Sequence, residues 1–364
     1  MVLVHALGSN SGGQLATGDL DDVHHLAATQ PLPESPTGCA KWRICGGGNH
    51  TFMWTDRGPT LLGCGSNTDG ELALSKEIAS PLLCWTPVPF PGSHIQQIAC
   101  GWSHTLLLND QGHVYAAGSN TFGQLGAPSS APWQRVAPGS RFVSIACGMR
   151  HSLALDTNGV VYGWGANRNG QLGIEPKGKQ PNIPVTPVSR GLGPIAMLAC
   201  GRTHSILIAS DRMTVYVAGQ DKYAQWGPSA WVSGTWRAFQ LPRPALKVCS
   251  GWDFAAVLLE GEGHSNIAMW GRADQGQLAC RVDGAYRRAL DYVDLPDVSD
   301  IACGSSHTVA LTAGGSVLMW GWNEHGNAGD PTLNNVYTPL CVHKNHPQGA
   351  VGIGCGYGNS FIVS

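Results

Sequence analysis

The chain has 364 residues, of which 49 are glycine and 23 are proline, and only 13% carry a charged side chain. The glycines follow no three-residue period, and tryptophan and aliphatic residues occur along the whole chain, which excludes collagen-like and low-complexity disordered chains. The formal net charge is −2 without any lysine/arginine run, so we expect no broad electrostatic attraction to nucleic acid or to anionic membranes.

The start of the chain predicts neither export nor membrane insertion. Residues 1–8 read MVLVHALG, which lacks the basic start and long apolar run of a signal peptide. No apolar run approaches the roughly 18 residues of a membrane-spanning helix. The twelve cysteines include no Cys-x-x-Cys pair, so we predict free thiols, no metal site and a reduced intracellular compartment, namely the cytoplasm and in addition the nucleus.

A first motif, apolar-apolar-Cys-Gly-x-x-His, returns along the chain with some drift. Its cysteines are Cys45, Cys100, Cys147, Cys200, Cys249, Cys303 and Cys355. Six steps separate the first from the last, so the period is about 52 residues. A side chain repeated once per unit is typical of a small buried apolar group, and we therefore predict that the six of these cysteines that directly precede a glycine, all except Cys249, lie in the core.

A second motif alternates with the first: a β run that ends in Gly-x-Asn and is followed by Gly-x-Leu. It begins at Gly8, Gly65, Gly118, Gly165, Gly219, Gly271 and Gly321, and the last copies drift from the pattern. In the third full unit, an apolar run at 143–147 precedes an alternating strand at 151–155. The Asn158-Gly159 pair predicts a hairpin turn before the next strand at 160–164.

The two ends of the chain are complementary halves of one unit. Residues 2–10 carry the second motif without the first, and residues 355–363 carry the first motif without the second. The N-terminal strand can therefore complete the last unit and remove the exposed edges of an open array. We predict one all-β domain over residues 1–364, a seven-bladed β-propeller closed by its own N-terminal strand.

At these residues the chain resembles the regulator-of-chromosome-condensation (RCC1) repeat family, whose blades carry Cys-Gly-x-x-His-Thr/Ser and Gly-x-Asn-x-x-Gly-Gln-Leu-Gly at this spacing. Several segments are similar to the fungal alpha-tubulin suppressor group of that family. They are residues 4–10, 45–50, 63–67, 320–327 and 361–364. This resemblance implies a non-enzymatic propeller that forms a heterodimer with a small zinc protein of the diphthamide biosynthesis protein 3 type. It also implies a role in diphthamide synthesis on elongation factor 2 and in Elongator-dependent modification of the tRNA wobble uridine.

Strand direction predicts which loops share a surface. The strand before Cys-Gly leads to one face, here called the upper face, and the strand before Gly-x-Asn returns to it. Aromatic residues and arginine are enriched at binding hot spots. The predicted partner-binding residues on this face are Trp102, Met149, Arg150, Arg202, Trp252, Trp322, Glu324, His325 and Tyr357.

Other recurring residues favour a structural interpretation. We expect the strand tryptophans Trp164, Trp270 and Trp320 to pack between blades. The histidines His50, His104, His151, His204 and His307 are dispersed by rotation about the axis, so we expect hydrogen-bonding residues rather than a shared metal site. No nucleophile triad or phosphate-binding glycine loop can be assembled, so we predict neither catalytic residues nor a cofactor.

Two alternative functions stay open at this stage. The founding family member is a guanine-nucleotide exchange factor for the small GTPase Ran, and the resemblance admits that activity, although this chain has no basic tail. Some plant relatives sense ultraviolet light through tryptophans next to arginines in Gly-Trp-Arg-His-Thr turns. Here only the turns at Trp102 and Trp252 carry tryptophan and the paired arginines are absent, which disfavours light sensing.

Overall fold

Short apolar runs bounded by glycine-rich turns build an all-β chain. The computed structural model describes residues 2–33, 41–56, 58–75, 77–78, 80–128, 132–176, 182–233, 235–261, 265–282, 284–344 and 349–364. Over these ranges the chain forms 29 β-strands arranged in seven sheets and contains no α-helix. Accordingly, nothing in the described ranges is a helix that could span a bilayer.

The strands are numbered in chain order, and each sheet is one blade. The chain opens with β1 (Val4–Gly8) and β2 (Val23–Ala28). Blade 1 contains β3 (Trp42–Gly46), β4 (His50–Thr55), β5 (Leu61–Gly65) and β6 (Leu82–Pro87). Blade 2 contains β7 (Ile95–Cys100), β8 (His104–Asn109), β9 (Val114–Gly118) and β10 (Gln134–Val136). Blade 3 contains β11 (Phe142–Cys147), β12 (His151–Asp156), β13 (Val161–Ala166) and β14 (Asn182–Pro187).

The remaining blades follow the same plan, with one extra strand in blade 4. Blade 4 contains β15 (Ile195–Cys200), β16 (His204–Ala209), β17 (Thr214–Gly219), β18 (Ala230–Ser233) and β19 (Trp236–Gln240). Blade 5 contains β20 (Ala245–Ser250), β21 (Phe254–Leu259), β22 (Ser265–Arg272) and β23 (Tyr286–Leu295). Blade 6 contains β24 (Val298–Cys303), β25 (His307–Thr312), β26 (Val317–Gly321) and β27 (Val336–His343). Blade 7 contains β28 (Gly352–Cys355) and β29 (Asn359–Val363) together with β1 and β2.

The predicted seven-bladed propeller and its closure are confirmed. The sheet order of blade 7 is β2-β1-β29-β28, and β1 pairs with β29 from Val4 opposite Val363 to Gly8 opposite Asn359. Two further backbone hydrogen bonds join Leu3 to Ser364, at 2.9 and 3.0 Å. The N-terminal strand is therefore the third strand of the last blade, and strand pairing seals the ring.

The second strand of each blade is more buried than a half-buried, alternating strand would be. All six residues of β8 are buried, and the strand that the sequence predicts to alternate, β12, is buried from His151 to Leu155. The reason is that this inner strand packs against neighbouring blades on both faces, whereas outer strands such as β2 and β23 keep many exposed residues. Trp164, Trp270 and Trp320 are fully buried between blades, as expected.

The Gly-x-Asn loops fold around the asparagine side chain and depend on the first glycine. In blade 3, Asn167 Oδ1 accepts the backbone N–H of Leu172 at 2.9 Å, and its Nδ2 donates to the Ile174 carbonyl at 3.0 Å. The first glycine of the motif, Gly165, has φ +94°, and a Cβ there would lie 2.7 Å from the Arg150 carbonyl oxygen. The motif therefore allows the chain to reverse direction tightly at the upper face.

The recurring histidines join each blade to the next. In each case the imidazole Nε2 contacts a hydroxyl oxygen of the following blade. His50 lies 3.0 Å from Thr105, His104 lies 3.1 Å from Ser152, and His151 lies 3.0 Å from Ser205. His204 and His307 make the same kind of contact, with Ser250 and Ser360. All five rings are fully buried, and the described residues contain no group of three His, Cys, Asp or Glu side chains that could hold a metal ion.

The six motif cysteines predicted to be core residues all pack against the hydrophobic clusters of the blades, but only two of the six are fully enclosed. Cys100 and Cys355 are buried, whereas Cys45, Cys147, Cys200, Cys249 and Cys303 are partly exposed. These cysteines lie at the ends of the innermost strands, which surround the propeller axis. A side chain at that radius faces the axial channel as well as the neighbouring blade, so a repeated small residue is not fully enclosed.

Candidate protein-binding face

Seven turns, one after each innermost strand, meet around the axis on the upper face. The Trp102 N–H donates to the Met149 carbonyl at 3.4 Å, and the Trp252 N–H donates to the Ser305 carbonyl at 2.8 Å. The Ser305 N–H donates to the Tyr357 carbonyl at 2.8 Å, and the Tyr357 N–H donates to the Gly47 carbonyl at 3.1 Å. Arg202 likewise donates to Trp252, and Gly48 to Gly101 and Trp102. Backbone hydrogen bonds therefore join the turns at six of the seven junctions between neighbouring blades, all except that of blades 3 and 4, and we call this arrangement the circlet. It holds the side chains above it in fixed positions.

Three predicted site residues come together over this circlet. The Trp102 and Tyr357 rings stack with centroids 5.8 Å apart, and both contact Trp252, at 5.9 and 5.7 Å. We call these three residues the aromatic cap. Trp102 is 38% exposed, so the cap presents an apolar surface to solvent. Burial raises the pKa of the Tyr357 phenol well above its usual value, with the neighbouring thiols as a further cause, so this hydroxyl stays neutral.

A cavity of about 140 Å³ adjoins the cap, and two further predicted residues, Trp322 and His325, line it. Their rings meet edge to face at 5.2 Å. Trp322 Nε1 donates to Glu324 Oε2 at 3.3 Å, and His325 Nδ1 lies 2.6 Å from Asp22 Oδ2 in blade 7. The predicted loop of blade 6 is therefore held in place by its own carboxylate and by the neighbouring blade.

The predicted cationic anchors lie beside the cap and toward the rim, and Met149 lies in the circlet, where its carbonyl accepts the Trp102 N–H. Arg202 pairs with the almost fully buried Asp253 at 3.3 Å and lies 5.5 Å from the Trp252 ring centre, so its charge is largely compensated. Arg150 is exposed and lies 4.3 Å over the Phe122 ring, toward the rim. Partner contact by the nine predicted residues stays a prediction, since the geometry places them but does not assign their role.

Exposed charges divide the upper face into two arcs. Asp21, Asp69 and Glu324 lie in the loops of blades 7, 1 and 6, while Arg150, Arg168 and Lys222 lie in the turns and loops of blades 3 and 4. None of these six side chains forms an ion pair within the described part of the chain. A partner with a dipolar surface could therefore be oriented by this face.

Sequence reasoning missed one feature of the upper rim, the hairpin formed by β18 and β19. Thr235 in its turn donates to the Gly170 carbonyl at 3.3 Å, which places the hairpin beside the upper loop of blade 3. Trp231 on β18 is 64% exposed, and Val232 beside it is 40% exposed. The signal in the sequence is two tryptophans, Trp231 and Trp236, in a segment that is longer than its counterparts in other blades.

The repeat signature and this geometry are matched by a known family. Residues 3–362 match the model of the RCC1-like domain. The chain belongs to the RCC1-like domain family. Among its relatives is the "secretion-regulating guanine nucleotide exchange factor" of Mus musculus, 32% identical, with 99% of this chain and 83% of that protein covered. The protein of that name from Bos taurus is 34% identical, over 98% of this chain and 82% of its own length.

Solved structures agree with the RCC1-like fold. Yeast RCC1 (Prp20), in its structure bound to Kap60, gives a TM-score of 0.85 at 20% identity and covers 100% of this chain and 88% of its own. Human WBSCR16 gives a TM-score of 0.80 at 23% identity and covers 100% of this chain and 99% of its own. At these identities the likeness establishes the fold alone.

Proposed function

We propose that this RCC1-like propeller is a guanine-nucleotide exchange factor that binds a small GTPase on its upper face. The observation that carries the proposal is the 32% and 34% identity, over nearly the whole chain, to two proteins named as guanine nucleotide exchange factors. Such an activity breaks no covalent bond. It therefore agrees with a face that offers aromatic, charged and apolar contacts around a rigid circlet.

The energetic requirement for exchange is a difference in affinity. A protein speeds nucleotide release when it binds the empty GTPase more tightly than the loaded one, and a hundredfold difference corresponds to about 2.7 kcal/mol. The propeller supplies a preorganised surface, because the seven upper turns are tied to one another by backbone hydrogen bonds. Little ordering entropy is then lost on binding.

The arrangement of the face suggests an orientation for the partner. A nucleotide-binding loop holds phosphates with backbone N–H groups and a lysine, so an emptied site exposes positive charge. The arc with Asp21, Asp69 and Glu324 is complementary to such a site. The β18–β19 hairpin, with Trp231 exposed, offers an apolar projection at the opposite arc that can insert against a flexible segment of the GTPase.

The direct test is release of a fluorescent GDP analogue from purified small GTPases, Ran first and then other families. We expect at least a tenfold faster release from one GTPase with the wild-type propeller. Trp231→Ala removes an exposed aromatic anchor at the rim, and a hot-spot loss of about 2 kcal/mol predicts an affinity roughly 30-fold weaker. Tyr292→Ala is the control, because Tyr292 is 52% exposed on β23 of blade 5 and lies away from the upper turns. Release rates unaffected by the propeller across the panel would refute the proposal.

The heterodimer with a small zinc protein of diphthamide synthesis and Elongator regulation stays a second candidate, supported by the short segments similar to the alpha-tubulin suppressor group. It would use the same aromatic cap, and the zinc would belong to the partner. Affinity purification of the propeller distinguishes the two proposals. Recovery of a cysteine-rich zinc protein that persists after addition of GDP and Mg²⁺ favours the heterodimer, whereas recovery of a GTPase that GDP displaces favours exchange.

A further inference from the structure

A one-residue shift in two of the seven repeats brings cysteines of neighbouring blades together. In blade 6 the motif cysteine, Cys303, pairs across the sheet with Thr308 at the end of the strand. In blade 5 that last position is taken by Ser250, and Cys249 pairs one step earlier, with Ala256. Because side chains alternate along a strand, the shift turns Cys249 toward the opposite neighbour.

The outcome is a thiol–thiol contact across the interface of blades 5 and 6. The Sγ atoms of Cys249 and Cys303 lie 2.9 Å apart. Blade 1 has the same shift, since four residues separate Cys45 from His50 instead of three, and Cys45 Sγ lies 3.4 Å from Cys100 Sγ. By contrast, the unshifted Cys147 contacts a carbonyl oxygen, that of Ala99, at 3.3 Å.

The geometry of the blade 5–6 pair is close to that of a disulfide. An S–S bond is about 2.05 Å long, so the two sulfur atoms need to approach by only about 0.9 Å. Both thiols are partly exposed. The access route is from below, because the aromatic cap covers the upper end of the axis, whereas a cavity of about 510 Å³ opens among the lower ends of the inner strands. Lys247 and Asp300, just below the pair, line this cavity.

We propose that Cys249 and Cys303 are an oxidative modification site, at which hydrogen peroxide forms a reversible disulfide between blades 5 and 6. Peroxide converts one thiol to a sulfenic acid and releases one water. The sulfur of the second thiol then attacks the sulfenic sulfur and forms the S–S bond. The hydroxyl group of the sulfenic acid leaves and combines with the proton of the second thiol to form a second water. A dithiol reductant reverses the bond by exchange.

The disulfide would fix the part of the upper face that lies directly above it. Trp252 of the aromatic cap follows Cys249 by three residues, and its N–H donates to the Ser305 carbonyl at 2.8 Å, two residues after Cys303. The bond would also close a loop between residues 54 positions apart. For a loop of that length in a chain of this size, the expected rise in Tm is about 5 °C.

The test is titration of the purified, reduced full chain with hydrogen peroxide, followed by alkylation of free thiols and peptide mapping under non-reducing conditions. We expect a disulfide-linked peptide that joins Cys249 to Cys303 and forms before any other disulfide. The rise in Tm should accompany this link, and dithiothreitol should reverse both the link and the rise. Cys249→Ala abolishes the link and the rise. This substitution suits the fold, because the equivalent position holds Ala99, Ala146, Ala199 and Ala302 in other blades.

A matched control is Cys147→Ser. It removes a motif cysteine whose sulfur contacts a carbonyl oxygen, that of Ala99, and it should leave the Cys249–Cys303 link and the rise in Tm intact. Cys303→Ser provides a second loss-of-function variant, since serine occupies the same position as Ser250 in blade 5. The proposal is overturned if the map shows no link between these cysteines, if another disulfide forms first, or if Cys249→Ala retains the peroxide-induced rise in Tm.

Discussion

The five inter-blade histidines should make the propeller sensitive to mild acid. Burial lowers the pKa of His50, His104 and His204 to about 3 and that of His151 and His307 to about 4. In the unfolded chain each imidazole has its ordinary pKa near 6.5. Between these pKa values the unfolded state binds protons that the folded state does not. The contribution of these histidines to the free energy of unfolding is therefore fully present well above pH 6.5 and falls as the pH decreases toward 4.

The expected effect is large. Between pH 7.5 and pH 5.5 each histidine loses about 1.4 kcal/mol of stabilisation, and the five together lose about 7 kcal/mol. A typical domain has a free energy of unfolding of only about 5–15 kcal/mol. Carboxyl groups titrate mainly below this window, so they contribute little to the difference. The midpoint of urea unfolding, followed by tryptophan fluorescence, should therefore decrease strongly at pH 5.5.

One substitution isolates the cause. Phe254 occupies the histidine position in blade 5, so His151→Phe places in blade 3 a side chain that the fold already accepts there. We expect the pH-dependent loss to shrink by about 1.4 kcal/mol in this variant. Replacement of the exposed His25 by asparagine should leave it unchanged. Equal unfolding midpoints at pH 7.5 and 5.5, or an unaltered pH dependence in His151→Phe, would refute the reasoning.

Two substitutions in blade 3 test the packing of the upper loops by urea unfolding. Gly165→Ala forces a side chain into a left-handed conformation and against the Arg150 carbonyl, and should lower the free energy of unfolding by about 2 kcal/mol or more. Trp164→Phe removes the fully buried indole N–H that donates to the Gln124 carbonyl at 2.8 Å, and should cost about 1–3 kcal/mol. Asn169→Ala, at an exposed loop position, should change stability by less than about 0.5 kcal/mol, and a cost equal to that of Gly165→Ala would contradict this account.

The blade count and the ring closure could be predicted because repetition encodes them seven times over. Each unit carries its own turn residues, such as Asn158-Gly159, and the half units at the two ends complete each other through the pairing of β1 with β29. Strand direction also assigned the predicted site residues to one face. These inferences depend on local chemistry and on topology, both of which a single sequence contains.

The grouping of side chains within that face depends on contacts between blades, which the repeat pattern does not record. Trp252 and Arg202 occupy equivalent turn positions, yet the first joins the aromatic cap and the second is neutralised by Asp253 of the next blade. The exposure of the motif cysteines follows from their distance from the axis. The shift of Cys45 was nevertheless visible, because four residues instead of three separate it from His50.

The most direct test of a GTPase-binding upper face is co-elution of the propeller with a small GTPase stripped of its nucleotide. This account predicts a one-to-one complex that dissociates on addition of GDP and Mg²⁺ and that is weakened by Trp231→Ala but not by Tyr292→Ala. A complex that is indifferent to nucleotide, or no complex with any member of a panel of small GTPases, would contradict it.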